Sequence, residues 1–245
     1  MARIFLLLVI FLSFISCSRK TVESIIDEGF QEDGQKAISL YSKAIKREPQ
    51  NVEAYWRRGD EYYKIKQYER AIDDFNRAIR IDSAFNAGYL FGDRGLTKHA
   101  LKDYHGAIND FTIALELCPP AEPSTPREKF YYYRSLSKIR LTDTLAALND
   151  LDSAIYYWNI YPDARLLRAR IRMKKGEYNE ALQDYQACQC LSSTEEFEEY
   201  AVDSFYYGLA KFKTGDSTYC PHWQIALKYK YPGVNDYILK YCKDN

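Results

Sequence analysis

The chain has 245 residues, with 34 Lys and Arg balanced by 34 Asp and Glu, so no global field draws it to nucleic acid or to an anionic surface. A mean hydropathy of −0.47 excludes a multi-span membrane protein. Tyrosine is common, with 23 copies, and core packing is the first explanation for most of them, because many fall at helix-pairing positions.

The N-terminus reads as a targeting segment, to be left out of the fold. Met1-Ala2-Arg3 supplies positive charge, and Ile4–Ile15 is apolar apart from Ser13. That run is short for a spanning helix, which needs about 20 apolar residues. With Phe14-Ile15-Ser16-Cys17 at its end, the segment resembles a bacterial lipoprotein signal. The resemblance implies removal of residues 1–16 and lipidation of Cys17, and the alternative is an ordinary secretory signal. The same resemblance implies an outer-membrane destination from Ser18 after the cysteine, and a periplasmic face over surface export from Arg19-Lys20.

The rest of the chain repeats one pattern. The stretch Tyr55–Asp82 reads as two short amphipathic helices joined by a tight turn at Ile65-Lys66-Gln67, with small residues at Gly59, Ala71 and Ala78 and Phe75 between them. Aligned on the first small residue of the second helix, Ala37, Ala71, Ala107, Ala147 and Ala181 recur at spacings of 34, 36, 40 and 34. Seven residues on stand Ala44, Ala78, Ala114, Ala154 and Cys188, with Tyr41, Phe75, Phe111, Leu151 and Tyr185 between. This pattern resembles the tetratricopeptide repeat, a helix–turn–helix of about 34 residues. The resemblance implies an all-α, right-handed superhelical solenoid of about six helix pairs with a C-terminal capping helix.

The expected organisation is a degenerate first repeat over 17–50, repeats two and three over 51–118, a proline-rich loop over 119–126, repeats four and five over 127–193, and a divergent sixth repeat with its cap over 194–245. The first helix of repeat one lacks the glycine and the aromatics. Four prolines in Pro119–Pro126 favour an extended loop in a continuous stack, with a domain boundary as the alternative. In repeat six, Tyr207-Gly208 ends the first helix, Tyr219 starts the second, Pro232-Gly233 stops it, and Asn235–Cys242 forms the cap.

Comparing repeats exposes one polar pair. Arg58, Arg94, Arg134 and Arg168 share a position, and Asp74, Asp110, Asp150 and Asp184 lie sixteen residues later in each. Repeat six has Tyr207 and Trp223 there, and repeat one has Ser24 and Leu40. The pair comes and goes as a unit, so each Arg is expected to meet the Asp of its own second helix, where its fork can bond the carboxylate bidentately. An anion-binding ladder of arginines is the functional alternative.

Signals for chemistry are few. The three histidines, His99, His105 and His222, stand in no HExxH motif, and neither a phosphate loop nor a nucleophile elbow is present. No catalysis, cofactor or metal is expected. On a helix the thiols of Cys188 and Cys190 would point about 200° apart, which argues against zinc. The C-terminal segment, with Cys220, Trp223 and Cys242, resembles the closing segment of Bacteroidetes-type envelope TPR lipoproteins, and these two cysteines could staple the last helix in an oxidising compartment.

The tetratricopeptide resemblance also nominates a groove lined by positions two, five, nine and twelve of each first helix. Here these are Glu53, Trp56, Asp60, Tyr63, Tyr89, His99, Lys129, Tyr132, Arg170, Met173, Phe205 and Phe212, an aromatic surface of mixed charge suited to a peptide. The alternative for Trp56 and Tyr132 is packing between neighbouring repeats. The Lys/Asn set of chaperone-binding carboxylate clamps is missing. The expected function is a non-catalytic protein–protein interaction scaffold, lipid-anchored in the envelope, with a protein or peptide partner and no nucleic acid. The narrower alternatives are an accessory lipoprotein of outer-membrane protein assembly or of surface glycan uptake.

Overall fold

The structure, a computed structural model, describes residues 20–118, 126–188 and 197–242. The signal segment, Cys17, Pro119–Thr125 and Cys190 lie outside the described residues. Thirteen helices make up the described residues, in two compact units divided between Thr125 and Pro126, inside the proline-rich segment. The fold is all-α.

The first unit holds α1 (Val22–Phe30), α2 (Gly34–Arg47), α3 (Val52–Lys64), α4 (Tyr68–Ile81), α5 (Ala87–Ala100) and α6 (Tyr104–Leu117). These form three antiparallel pairs, each stacked on the next. The second holds α7 (Arg127–Arg140), α8 (Thr144–Tyr157), α9 (Pro162–Lys175), α10 (Tyr178–Ala187), α11 (Phe197–Lys213), α12 (Cys220–Lys228) and α13 (Val234–Tyr241). Here three pairs are followed by a short helix packed on α12.

Each pair closes on a small residue facing a large one. A Cβ on Gly59 would stand 2.8 Å from the Phe75 ring, and one on Gly95 would stand 2.9 Å from Phe111. Repeat four puts Ser135 in the glycine slot and the smaller Leu151 opposite, and repeat five pairs Ala169 with Tyr185; all four are buried. A small residue thus meets a larger one at each crossing, as expected where interiors are close-packed.

Repeat one follows the same rule, contrary to the expectation that it lacks the glycine. Gly29 lies against Tyr41, where an added Cβ would come within 2.6 Å of the ring. The helix α1 has only nine residues, so its glycine sits one turn nearer the helix end than Gly59 does in the 13-residue α3. Register, not composition, hides it. Repeat six slips too: Trp223, aligned by spacing with the Asp slot, takes the role of Phe75 and covers Gly208.

The turns within pairs two to six share one conformation. Lys66, Lys102, Thr142, Gly176 and Gly215 all have φ between 61° and 82°. In each turn the next N–H donates back to a carbonyl five residues earlier, as from Gln67 to Tyr62 at 2.8 Å and from Asp216 to Lys211 at 2.9 Å. This satisfies carbonyls that the helix end leaves open. Asp103 and Asp143 then accept from Gly106 and Ala146 and cap the next helix.

The cap of the second unit is aromatic and covalent. Trp223 is fully buried among Phe205, Phe212, Tyr219, Tyr237 and Tyr241, and its indole N–H donates to the Phe205 carbonyl at 3.3 Å. Cys220 and Cys242 are bonded, with Cα atoms 5.8 Å apart, and tie α12 to the end of α13. Cys118 and Cys188 are buried at the ends of their repeats.

Candidate functional site

The polar pairs are the first thing to locate. Arg58 Nε and Nη2 donate to the two Asp74 carboxylate oxygens at 2.7 and 2.8 Å. Arg94 grips Asp110 in the same way at 2.8 and 2.7 Å, Arg134 grips Asp150 at 2.9 and 2.7 Å, and Arg168 grips Asp184 at 2.9 and 2.5 Å. All four carboxylates are buried, so these arginines are engaged inside their own repeats. The bond to Asp74 raises the Arg58 pKa and holds the guanidinium charged. Burial pushes the Asp74 carboxyl up from its ordinary value, while Arg58 pulls it down. The fork requires the carboxylate form, which presents an oxygen to each N–H.

Spacing did not disclose the third bond of these arginines. Nη1 of Arg58 donates to Ser42 Oγ at 3.0 Å, Nη1 of Arg94 to Asn76 Oδ1 at 2.7 Å, and Nη1 of Arg168 to Asp152 Oδ1 at 2.5 Å. Each acceptor stands on the second helix of the preceding repeat. The pair therefore closes its own repeat and fastens it to its neighbour. A second cation, one turn after the arginine, joins the later carboxylates. Lys98 reaches Asp110 at 2.8 Å, Lys138 reaches Asp150 at 2.7 Å and Arg172 reaches Asp184 at 2.7 Å. In repeat two that place is taken by Tyr62, whose ring lies 5.8 Å from the Arg58 guanidinium.

Glu61 is a further link with no counterpart in the spacing pattern. It is buried, accepts from Gly34 N–H at 2.8 Å in the preceding repeat, and pairs with Lys64 at 2.7 Å. Burial works against a charge on Lys64, but its bonds to Glu61 and Asp60 prevail and raise its pKa.

The nominated groove residues divide by what they touch. The Trp56 indole donates to Asp93 at 2.8 Å, and its ring meets Phe85 and Tyr89 of the next repeat. Tyr132 packs on Tyr161 in the same sense, with ring centres 5.2 Å apart. Both stitch neighbouring repeats together. Asp60 pairs with Lys64, Tyr63 packs on Tyr68, and His99 packs on Tyr104. Glu53 pairs with Arg57, and Lys129 is exposed.

Four nominations need correcting. Arg170 is gripped bidentately by the buried Asp203 of the next first helix, with both bonds at 2.7 Å. Phe205 is only 7 % exposed and is stacked against Tyr231, so it belongs to the aromatic cap. Met173 is buried in the core of repeat five, and Phe212 packs on Tyr241. The helix phase of repeats five and six turns these positions inward.

What the second unit leaves open lies beside this face. A cleft of about 480 Å³ is lined by Ile139, Thr144, Leu145, Leu148, Ile171 and the neighbouring Lys174 and Lys175. Leu145 is 72 % exposed at its mouth. Lys175 pairs with Glu177 at 2.5 Å, while Lys174 is exposed and makes no ion pair among the described residues. Ile139 stands 76 residues after Tyr63, as Arg134 does after Arg58, so one groove position of repeat four forms a wall of the cleft. The cleft can hold an apolar side chain beside a negative charge, through burial and charge pairing rather than bond chemistry.

Stacked helix pairs with a small–large contact at each crossing and a common internal turn define the class. Such pairs have the architecture of the tetratricopeptide repeat, and residues 26–84 match the tetratricopeptide repeat family model. Among curated proteins, the DnaJ homolog subfamily C member 7 homolog of Dictyostelium discoideum is 25 % identical over 166 residues, covering 64 % of this chain and 30 % of that protein. The chain thus spans less than a third of that relative. Among solved structures, Pseudomonas aeruginosa pilF aligns with a TM-score of 0.74 at 16 % identity, over 89 % of this chain and 97 % of the other. YrrB, described as a TPR protein with an unusual peptide-binding site, aligns with a TM-score of 0.62 at 18 % identity, over 82 % and 97 %. At these identities the likeness is one of fold. Proteins built of this repeat are scaffolds for protein interaction, and that is the function class the fold supports.

Proposed function

We propose that the protein is a non-catalytic interaction scaffold, anchored in the bacterial envelope through a lipid on Cys17, that takes a protein segment at the cleft between α7, α8 and α9. The single observation that carries the binding site is the exposed Leu145 beside Lys174 at the mouth of an apolar cleft. A leucine left 72 % exposed over such walls suits an occupant that covers it. The partner segment is apolar with an acidic flank, matching the lysine rim. Periplasm-facing attachment to the outer membrane agrees with the residues around Cys17. The DnaJ relative is matched over too little of its length to lend its partners to this chain.

A photocrosslinker placed at Leu145 in cells tests the site, with Gln183 on the exposed side of α10 as the control position. A partner captured from Leu145 alone, and lost on combining the probe with Lys174→Glu and Lys175→Glu, supports the reading. Equal capture from both positions, or capture indifferent to the charge reversal, would refute it.

A further inference from the structure

The first unit carries a second opening, at its N-terminal edge, that the peptide cleft does not explain. A cavity of about 680 Å³ is lined by Lys20, Thr21, Val22, Lys43, Lys46 and Arg47, where the start of α1 meets the end of α2. Arg47 donates to the Lys20 carbonyl and holds the entering chain against α2. Lys20 pairs with Glu28 at 2.6 Å, whereas Lys43 and Lys46 are exposed and without an ion pair among the described residues. Acidic residues adjoin this edge. A neighbouring cavity that shares Thr21 and Val22 is lined by Glu23, Asp27, Glu48 and Glu53. Basic and acidic linings thus stand side by side where α1 begins, although the whole chain is neutral.

Chain length fixes where this edge must lie. Lys20 is three residues from Cys17, and three residues span at most about 10 Å. Resting on the lipid-anchor reading above, any acyl chain on Cys17 holds the basic cavity about one Debye length from the headgroups. We infer that the Lys20–Lys43–Lys46–Arg47 edge is a docking surface for an anionic phospholipid bilayer, and that it orients the first unit against the membrane. A basic patch beside a lipid anchor adds electrostatic attraction to an anionic leaflet. An anionic surface would repel the adjoining acidic lining, so the contact sets an orientation as well as adding attraction.

The mature chain, residues 17–245 with Cys17→Ser, removes the acyl group and leaves every described residue in place. Flotation at low salt with phosphatidylglycerol vesicles, and with phosphatidylcholine vesicles as the comparison, reads the contact. Binding is expected to the anionic vesicles alone, to fall at least tenfold in the Lys43→Glu, Lys46→Glu variant, and to persist in the Lys43→Arg, Lys46→Arg variant. Absence of binding to the anionic vesicles overturns the inference, as does binding that survives charge reversal. Displacement by millimolar glycerol 1-phosphate would point to a soluble anion site and overturn the membrane assignment as well. The mass of Cys17 in the native protein tests the anchor separately, because the flotation probe carries serine there in every variant.

Discussion

Repeats five and six stand side by side in the second unit and solve one problem in two ways. In repeat five the helix pair is closed by charge. Asp184 is 1 % exposed and receives Arg168, Arg172 at 2.7 Å and Arg165 at 3.5 Å, while Arg168 reaches back to Asp152 of repeat four. In repeat six the arginine slot holds Tyr207, which stacks on Tyr185 of repeat five with ring centres 5.6 Å apart. Trp223 fills the space over Gly208, and the disulfide binds α13 to α12. In the interior repeat the buried carboxylate is met by arginines of its own first helix, one of which also reaches back to the preceding repeat. The last pair has one neighbour, and apolar rings with a covalent link close it without stranding a charge.

The sharpest way to break that contrast is to remove the carboxylate. Asp184→Asn leaves three arginines converging on a neutral amide, and loss of one partner from a buried ion pair costs roughly 3–5 kcal/mol. The expected result is a drop of that size in urea-unfolding stability. Asp74→Asn, which strands only Arg58, should fall below it. Equal losses for the two variants would mean that the extra arginines around Asp184 contribute nothing.

Next in size is the covalent half of the comparison. The Cys220–Cys242 bond closes a sequence separation of 22 residues. Loop-closure entropy puts its removal at about 3 kcal/mol. In Cys242→Ser, amide exchange should rise across Val234–Tyr241 and stay protected in α9 and α10. Unchanged exchange in α13 would show that the aromatic cluster alone holds the cap.

How much of this was open to a reader of the chain depends on what each feature leaves in the sequence. The helix pairs were legible because Ala71, Phe75 and Ala78 recur as residue types at fixed spacing. Arg58 and Asp74 were legible because they appear and vanish as a pair. Their links to the preceding repeat were not, since Ser42, Asn76 and Asp152 share an acceptor atom but no residue type. Gly29 was hidden by a helix one turn shorter than its siblings. Phe205 and Met173 were misplaced because a position rule taken from regular repeats fails where the helix phase drifts. The cleft under Leu145 left no signal of its own. Ile139, Leu148 and Ile171 read as ordinary core until the neighbouring helices are seen to leave a space between them.

The smallest expected effect concerns pH, and it separates the two kinds of closure. His222 sits on the Tyr207 ring, with centres 4.2 Å apart, in the slot region where repeats two to five carry permanent ions. Burial lowers its pKa first, Lys211 lowers it further, and Asp216 pulls the other way. Because the folded value lies below the usual imidazole value of 6.5, the folded chain binds fewer protons than the unfolded one at mildly acid pH. Its contribution is therefore complete above about pH 6.5, declines as the pH falls below that, and levels off once the folded imidazole is itself protonated. Thermal melts at pH 7.5 and pH 5 should differ less in His222→Gln than in the parent chain. The carboxylates of repeats two to five are common to both proteins and cancel in that comparison. If the two proteins lose the same stability on acidification, the sensitivity lies in the charged repeats, and the aromatic cap is indifferent to pH.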